Sequence, residues 1–338
     1  MTQTRDPFVS ICCITYNHES YIRDAIEGFL MQEADFSFEI IIHDDASTDT
    51  TADIVREYEG KYPNIIKPIY QTENQCSKGK MAIFFAFNAA RGKYIALCEG
   101  DDFWVDPLKL QKQITEMEKN PDCYISFHPA IQRWVDGSRR DRIFGRHSDK
   151  ITILPMGEVI LGGGKFMHTA SIILNKSVVP RIIAFFAVAP EAPVGDYYMQ
   201  MLGAEHGGAL YLSDAMSVYR SAVPNSWSVR LKENYNNTYP RFIQLSIISL
   251  DKLNAFTNNK YSKLFNIRKR EYYSGVIKSP RLDINIKNSI IEGNLDDINI
   301  KDRILWNLVF KHPLMAKILF NMYQFVLQIH GRMHRSPF

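Results

Sequence analysis

Residues 94–113 read YIALCEGDDFWVDPLKLQKQ, an apolar run that ends in an acidic cluster and continues into a segment with helical spacing. A buried strand, a polar turn and an amphipathic helix form the repeating unit of parallel α/β sheets. Asp106 and Pro107 suit the N-cap and first turn of this helix, which is predicted to continue through Met117 and to stop before Pro121. The stretch therefore predicts an α/β domain with polar groups where the strand ends.

The same alternation extends in both directions through the N-terminal part of the chain. Between the first two apolar runs, Ile22, Ile26 and Phe29 recur at helical spacing, and Ile83 and Phe87 do so before the fourth run. The predicted strands are 9–14, 38–43, 65–70, 94–98 and 123–127. Consecutive βαβ units of this kind predict a mostly parallel sheet flanked by helices.

The second half of the chain has a looser pattern. Residues 134–150 are basic and contain Gly, Ser and Asp, which predicts a surface excursion rather than a strand. A strand is expected at 170–174, a helix from about residue 196 to 205, and a strand at 209–212. After Trp227 the pattern becomes helical and rich in Asn and Lys, so we expect a domain boundary there.

Composition is that of an ordinary globular protein. The 338 residues are 46% apolar and 23% charged, with a net charge of +3, which predicts no nucleic-acid partner. The nine histidines lack the spacing of a zinc site. The cysteines form neither an even set nor a CxxC pair and are expected to be small core residues: Cys12, Cys13, Cys76, Cys98 and Cys123. Residues 1–8 show no secretion signal, so a cytoplasmic location is expected.

Polar side chains follow three of the predicted strands. The runs Thr15-Tyr16-Asn17, Asp44 to Asp49 and Glu99 to Asp102 come directly after apolar segments. Because carboxyl ends of parallel strands share one sheet edge, these acids would repel one another without a cation. Oxygen ligands suit Mg²⁺ or Mn²⁺, whose remaining positions are commonly filled by phosphate oxygens, and this favours a nucleotide diphosphate substrate. Helix capping remains an alternative for Ser47 and Asp49.

These motifs resemble the family-2 glycosyltransferases. The stretches VSICCITYN (9–17), EIIIHDDASTDTT (39–51) and 94–113 are similar to the family's VSVIIPTYN strand, EIIVVDDGSTD strand end and D-x-D with a following acid. The similarity covers roughly residues 8–230. It implies a GT-A type α/β fold: a mostly parallel sheet flanked by helices, with a Rossmann-like nucleotide-binding half and a C-terminal helical extension.

The resemblance also implies a domain organisation. A glycosyltransferase domain is expected over residues 1–227, with a nucleotide-sugar-binding half (1–130) and an acceptor-binding half (131–227). A helical C-terminal region would occupy residues 228–338.

Carried over by position, the resemblance assigns Asp101 to metal binding and places Asp45 at the nucleotide base, with Tyr16 nearby. Glu99 stands where the family usually has the first Asp of D-x-D, and its longer carboxylate can still reach the ribose or a metal-bound water. For Asp102, local turn capping remains an alternative. The residues that the resemblance places at the donor are Thr15, Tyr16, Asn17, Asp45, Glu99, Gly100, Asp102 and Arg220.

A second set of residues comes from the acceptor half. The run around Asp196, followed by Tyr219-Arg220, resembles the family's acidic residue before a helix and its Tyr-Arg pair. Asp196 is the candidate general base, with helix capping as the alternative. His168 and Thr169 are expected to line the acceptor pocket, although a core histidine is an equal alternative.

The chain departs from the family two residues after the Tyr-Arg pair. Many relatives have a His there, whereas this chain has Ala222. The leaving diphosphate is then expected to rely on the metal, helped by Arg220 or by Lys78 or Lys80. Solvated loop side chains are the alternative for the two lysines.

The sequence thus predicts an inverting transfer of a sugar from a nucleotide diphosphate, expected to be a UDP-sugar, to a hydroxyl of a glycan or lipid-linked glycan, with Mn²⁺ or Mg²⁺. Bacterial surface-polysaccharide assembly is the family-level expectation. A noncatalytic sugar- or nucleotide-binding module remains an alternative. So does a sugar nucleotidyltransferase, although such enzymes normally open with a Gly-rich loop where this chain has residues 15–18, TYNH.

The stretch 313–329 is strongly apolar, contains a few polar residues and has basic flanks. It is marginal for spanning a bilayer. Two interpretations stay open: a peripheral helix at the inner face of the cell membrane, and a helix packed on its own domain or on another subunit as a homo-oligomer contact.

Overall fold

The computed structural model describes residues 6–311 and residue 318. The described chain divides into two compact units, one ending at Val229 and the other beginning at Arg230. Apart from residue 318, the apolar stretch 313–329 lies outside the described residues, so both interpretations of it stay predictions. Among the helices that the structure describes, none has the length and apolar character needed to cross a bilayer.

The first unit alternates strands with helices. Its strands are β1 (Val9–Thr15), β2 (Phe38–Asp44), β3 (Ile66–Tyr70), β4 (Tyr94–Glu99), β5 (Phe103–Trp104), β6 (Ile125–Phe127), β7 (Ala130–Trp134), β8 (Arg142–Phe144), β9 (Thr152–Leu154), β10 (Ile173–Asn175), β11 (Ala209–Tyr211) and β12 (Ser217–Ser221). Its helices are α1 (Ile22–Leu30), α2 (Thr51–Lys61), α3 (Ala82–Ala89), α4 (Lys109–Lys119), α5 (Met156–Gly162), α6 (Val179–Val188) and α7 (Gly195–Ala204).

Most of these strands form one large sheet. Within the described residues it has eight strands in the order β3-β2-β1-β4-β10-β6-β11-β9. β1 pairs in parallel with both β2 and β4, and β2 pairs in parallel with β3. β10 and β9 run antiparallel to their neighbours. The predicted α/β fold with a mostly parallel sheet is confirmed.

The core explains why the N-terminal strands read as continuous apolar runs. β1, β2 and β4 are buried along nearly their whole length, as strands covered on both faces must be. Helix α1 buries Ile22, Ile26 and Phe29, and the Phe29 ring packs edge-on against Trp104 at 4.9 Å between centroids. The helical spacing seen in the sequence is therefore the face that covers the sheet.

Three of the differences between the structure and the sequence-based elements have a local explanation. The segment 134–150 contains a strand, β8, which pairs with β7 in a second sheet of order β5-β12-β7-β8. The prediction of an excursion without a strand was wrong because β8 is a three-residue edge strand, too short and exposed to show a period-2 pattern.

The second difference is the start of helix α4. It begins at Lys109, because Asp106 accepts a hydrogen bond from the Leu108 N–H at 2.8 Å and closes a turn before it.

The third difference is at the predicted strand 170–174. Residues Thr169–Ser171 form a 3-10 turn, closed by the Ser171 N–H donating to the His168 carbonyl at 2.9 Å. β10 therefore begins only at Ile173.

The second unit is helical, as the sequence predicts for this region. Its described helices are α9 (Tyr235–Phe256), α10 (Ser262–Lys278), α11 (Ile284–Ile291) and α12 (Ile300–Lys311), and α8 (Trp227–Glu233) spans the division between the units. A separate core holds these helices together, with Ile243, Tyr273, Val276, Ile291 and Trp306 among its buried residues.

Gly92 lies where the chain enters β4 against β1. A Cβ at this position would lie 2.6 Å from the Ser10 amide nitrogen and 2.9 Å from the Tyr94 carbonyl oxygen. The Gly92 N–H also donates to the Ser10 hydroxyl at 2.8 Å. The backbone cannot move aside without disturbing the β1–β4 pairing. Glycine is therefore required at this position because a side chain has no room, not because of its backbone φ.

We expect Gly92→Ala to lower the free energy of unfolding by about 1 to 3 kcal/mol, because the new methyl overpacks the strand pair. The measurement is the urea midpoint followed by circular dichroism. Gly60→Ala is the matched control, since nothing lies within 4 Å of its Cβ position in α2. Alanine there should stabilise by about 0.5 to 1 kcal/mol. Equal midpoints for the two variants would contradict this account of Gly92.

Candidate functional site

The candidate site lies at the edge of the large sheet where β1, β2 and β4 end. In the register of these strands, Thr15 of β1 is opposite Asp44 of β2, and Ile14 is opposite Glu99 of β4. Asp45 and Asp101 therefore follow strands on either side of β1, and the axes of these two strands, β2 and β4, are about 10 Å apart. Acids from distant parts of the sequence thus reach one sheet edge.

An acidic cluster follows β4. Glu99, Asp101 and Asp102 each offer a carboxylate oxygen within 4.8 Å of the others, the set that stands out among the described residues as able to hold a metal ion. Burial raises the pKa of Glu99 to about 8, with the charges of Asp101 and Asp196 adding to the effect. Burial, followed by the charges of Asp101 and Glu99, holds the pKa of Asp102 well above its usual range.

This cluster fits a divalent cation. The Oδ2 atom of Asp102 is buried and has no hydrogen-bond partner. A buried acceptor in that state is costly, and the neighbouring carboxylates increase the cost. Oxygen ligands of this kind are those that Mg²⁺ and Mn²⁺ prefer, so a cation would relieve both penalties.

Gly100 lets the acidic cluster lie against the end of β1. A Cβ on Gly100 would lie 2.7 Å from the Thr15 hydroxyl and 3.0 Å from Nδ1 of His18. The Thr15 hydroxyl is itself buried without a partner. Nε2 of His18 lies 4.0 Å from Oδ2 of Asp101. His18 was not assigned a role from the sequence, although its position directly after Thr15-Tyr16-Asn17 was a signal.

The loops after β1 and β2 are joined by hydrogen bonds. The Asn17 N–H donates to the Ser47 hydroxyl at 2.9 Å, and the Asn17 side chain accepts from the Thr48 N–H at 2.8 Å. Asn17 and Ala46 have positive φ values of 56° and 62°, which turn the two loops toward each other. Asn17 thus fixes the sheet edge, while the neighbouring Tyr16 side chain is 43% exposed.

Asp45 has a clear local role. Its buried carboxylate accepts backbone N–H bonds from Gln75 at 2.8 Å and Cys76 at 3.0 Å, which anchors the loop after β3. Its assignment to the nucleotide base stays a prediction.

The capping alternative fits Asp49 but not Ser47. Asp49 accepts from the Thr51 N–H, the first of α2, at 2.9 Å. Ser47 instead donates to Asp44, at the end of β2, at 2.5 Å.

Asp196 is the second residue of α7. Its carboxylate accepts the Tyr197 N–H at 2.8 Å, and the preceding Val194 has a positive φ of 56°. Burial raises the pKa of Asp196 to about 7. The charge of Asp196 also contributes to the raised pKa of Glu99, after burial and the charge of Asp101, so Asp196 is within electrostatic range of the acidic cluster despite the long sequence separation.

Arg220 of β12 is hydrogen-bonded to the acidic cluster. Its N–H donates to Oδ1 of Asp102 at 2.8 Å, and its guanidinium donates to the Asp101 carbonyl at 2.8 Å. The guanidinium also pairs with Asp24 of α1 and stacks over Phe103 at 4.3 Å. Arg220 is only 8% exposed, and these contacts fix the position of its side chain. Asp24 was missed in the sequence because an acid in the first turn of a helix is ordinary and needs no functional explanation.

His168, just before the 3-10 turn that precedes β10, faces Asp102. Its Nδ1 atom is 3.8 Å from Oδ2 of Asp102, and its ring lies 4.0 Å from the Tyr219 ring. Burial lowers the pKa of His168 to about 3, so the ring is neutral at physiological pH. Thr169, the next residue, is half-buried and opens the 3-10 turn. His168 thus adjoins the cluster but is nearly buried.

Comparisons with known proteins bear on this site. Residues 10–179 match the family model of Glycosyl transferase family 2. An uncharacterized protein of Mycobacterium tuberculosis is 36% identical over 220 residues, which cover 65% of this chain and 60% of that protein. The chain therefore spans less than two thirds of the length of this curated relative.

Another relative has a more informative name. TuaG of Bacillus subtilis, named as a glycosyltransferase of teichuronic acid biosynthesis, is 36% identical over 136 residues, which cover 40% of this chain and 52% of that protein.

Solved structures show the same fold. TarS 1-349 of S. aureus, solved in complex with UDP-GlcNAc, matches with a TM-score of 0.54 at 15% identity and covers 90% of each chain. The mannosyltransferase PcManGT from Pyrobaculum calidifontis, in complex with GDP-Man and Mn²⁺, matches with a TM-score of 0.50 at 15% identity, over 95% of this chain and 88% of that one. The expected fold is confirmed, and with the match over residues 10–179 the chain belongs to glycosyl transferase family 2.

Proposed function

We propose that the protein is an inverting glycosyltransferase that moves a sugar from a nucleotide diphosphate to a hydroxyl of a glycan or lipid-linked glycan. The observation that carries the proposal is the cluster of Glu99, Asp101 and Asp102 at one sheet edge, with Asp196 within electrostatic range of Glu99. These groups support the proposal because the transfer needs a proton acceptor and a site suited to a diphosphate and its cation.

Asp101 is the proposed ligand of Mn²⁺ or Mg²⁺, with Glu99 and Asp102 beside it. A bound cation would supply positive charge next to the leaving diphosphate. The Oδ2 atom of Asp102 supports this assignment, because it is a buried acceptor without a hydrogen-bond partner. The structural neighbour bound to GDP-Man and Mn²⁺ also supports it.

Asp196 is the proposed general base. As the acceptor oxygen forms its bond to the anomeric carbon, Asp196 takes the hydroxyl proton, and the bond from that carbon to the diphosphate oxygen breaks with its electron pair going to the diphosphate. Attack from the face opposite the leaving group inverts the configuration in one step. A pKa of about 7 suits this role, since a base is most effective near the operating pH.

The proposed donor is a UDP-sugar. Tyr16 offers an exposed ring at the sheet edge, where the backbone around it is fixed by Asn17 and Ser47. The complex of TarS with UDP-GlcNAc supports a uridine nucleotide. The relative named for teichuronic acid biosynthesis supports an acceptor in bacterial surface-polysaccharide assembly.

Arg220 acts, in this proposal, through the acidic cluster. Its guanidinium already binds the Asp101 carbonyl and Asp24, and it is enclosed by Phe103 and Tyr21. Contact with the diphosphate would require one of these bonds to be exchanged. We therefore assign Arg220 and Asp24 as positioning residues for Asp101.

We expect Asp101→Asn to abolish Mn²⁺-dependent thermal stabilisation in the presence of UDP and to lower transfer on the order of 100-fold or more, because a charge that supports the leaving group is lost. In metal-free buffer the same variant should melt at a higher temperature than the wild type, since the carboxylates repel less. Asp214→Asn, whose carboxylate is paired with Lys112 at 3.0 Å, is the control. An Asp101→Asn enzyme with full Mn²⁺ dependence would contradict the metal assignment.

For Asp196→Asn we expect UDP binding to be unchanged and kcat to fall by roughly 10²- to 10⁴-fold, because the proton acceptor is lost. The wild-type kcat should rise with pH through about 7 and level off above it, since only the deprotonated carboxylate accepts a proton. The residual rate of the variant should lack this rise. Isothermal titration with UDP and a pH–rate profile measure both, and an unchanged profile would remove Asp196 from the base position.

Arg220→Lys should weaken Mn²⁺ affinity about tenfold, because an ammonium cannot hold Asp24 and the Asp101 carbonyl in the same fork geometry. Asp24→Asn should shift Mn²⁺ affinity in the same direction, by a smaller amount because Asp24 is 56% exposed. Titration of Mn²⁺ at saturating UDP measures both. If Arg220 instead contacts the diphosphate, Asp24→Asn will be neutral and Arg220→Lys will raise only the KM for the donor.

A further inference from the structure

The segment 133–150 has a concentration of positive charge. It contains three acids, Asp136, Asp141 and Asp149, and six basic residues: Arg133, Arg139, Arg140, Arg142, Arg146 and Lys150. With six of the 40 basic residues and three of the 37 acidic ones, this segment accounts for the whole net charge of +3. All six basic side chains are exposed. We call residues 133–150 the basic segment.

Two arginines of the basic segment share one aromatic ring. The guanidinium of Arg139 lies 5.5 Å from the Trp134 ring centroid, and that of Arg142 lies 5.2 Å from it. We call Arg139, Trp134 and Arg142 the arginine cluster. Stacking of this kind leaves the N–H groups of a guanidinium available for an anion.

Two of the three acids of the basic segment are paired with other arginines. Asp141 pairs with Arg133 at 2.8 Å, and Asp149 pairs with Arg146 at 3.1 Å. Asp136 accepts the Ser138 N–H at 3.0 Å, which lowers its pKa, and the charge of Arg139 lowers that pKa further without a direct ion pair. Within the described part of the chain, neither arginine of the cluster has an ion pair within 4.0 Å. Two like charges held on one ring repel each other, and an anion bound between them would remove that cost.

The arginine cluster lies on the face of the second sheet that adjoins the candidate site. Arg142 is opposite Gln132, and Gln132 is opposite Tyr219, so the three residues share one face. Phe144, two residues beyond Arg142, is on the same face, and its ring lies 6.0 Å from that of His168. Arg142 is therefore about 7 Å along the strand from a residue that contacts the acceptor half of the site.

Hydrogen bonds hold Arg142 in this position. Its Nε donates to the Gln132 side chain at 2.8 Å, and Gln132 donates to the Ser221 hydroxyl at 2.7 Å. Ser221 directly follows Arg220, which is hydrogen-bonded to the acidic cluster. Arginines on an edge strand also discourage pairing with another sheet, but that explanation does not cover Arg139, which lies in the turn rather than on β8 and still stacks on Trp134.

We propose that the arginine cluster binds an anionic group of the acceptor, so that the acceptor is an acidic glycan rather than a neutral one. The acidic cluster receives the donor diphosphate, while the arginine cluster, on the face next to His168, receives a carboxylate or phosphate of the growing chain. The proposal rests on the proposed function, because it defines the acceptor of that transfer.

The test is direct binding of an oligogalacturonate, a chain of uronic acids, to the full-length protein without donor or metal, with dextran as the neutral probe. The wild type should bind the oligogalacturonate but not dextran, and more weakly as salt is raised. Arg139→Gln combined with Arg142→Gln should weaken binding at least about tenfold, since two charge-assisted contacts are lost. The single variant Arg139→Gln, which keeps the hydrogen bond from Arg142 to Gln132, should show a smaller loss in the same direction.

The matched control is Arg146→Gln combined with Lys150→Gln, which removes the same charge from the same segment. Binding by the control should stay within about twofold of the wild type. An equal loss in both double variants would mean diffuse attraction and would overturn the proposal, as would wild-type binding to dextran. The proposal would also be overturned if the Arg139→Gln, Arg142→Gln double variant no longer floated with phosphatidylglycerol vesicles but still bound the oligogalacturonate. That result would identify the cluster as a lipid-binding surface.

Donor hydrolysis by the same variants separates this proposal from the proposed function. The arginine variants should hydrolyse a UDP-sugar at the wild-type rate, because the proposal assigns the arginine cluster to the acceptor and not to the donor. If the wild type hydrolyses and transfers no nucleotide sugar yet still binds the oligogalacturonate through Arg139 and Arg142, the proposed function fails while the anion site stands.

Discussion

The repulsion among Glu99, Asp101 and Asp102 is the constraint on which the rest of the first unit depends. The described structure holds these carboxylates within 4.8 Å of one another at the end of a buried strand. Without a counter-charge such an arrangement opposes folding, since burial, followed by the charge of Asp101, raises the pKa of both Glu99 and Asp102. The large apolar sheet beneath the cluster supplies the stability that makes this arrangement possible.

Two devices keep the acids in place. Gly100 has no side chain and so allows the cluster to lie against the Thr15 hydroxyl. Arg220 binds the Asp101 carbonyl and the Asp102 carboxylate and connects both to Asp24 of α1. The acids are thus attached to three separate elements, β1, β12 and α1. An acidic loop fixed in this way can receive a cation without reorganising, which is the condition for electrostatic preorganisation.

The sequence was most informative where structure is local. Continuous apolar runs identified β1, β2 and β4, and the polar residues after them identified the sheet edge, because parallel strands must end together. Features made by distant pairing were missed. β8 is recognisable only from its pairing with β7, and the role of Asp24 only from Arg220, which is 196 residues away in the chain. The roles given to Asp45 and Arg220 came from a resemblance, while the structure shows how each side chain is held.

The hydrogen bonds that join Asn17 to the Ser47 hydroxyl and to the Thr48 N–H have a consequence for recognition. They join the loops after β1 and β2 before any ligand arrives. A surface that is already ordered loses little conformational freedom when a ligand binds, so a nucleoside bound there, as the proposed function requires, would carry a small entropic penalty. Under that proposal the joined loops would act as a rigid surface for the nucleoside. Discrimination between one sugar and another would then come from elements outside these loops.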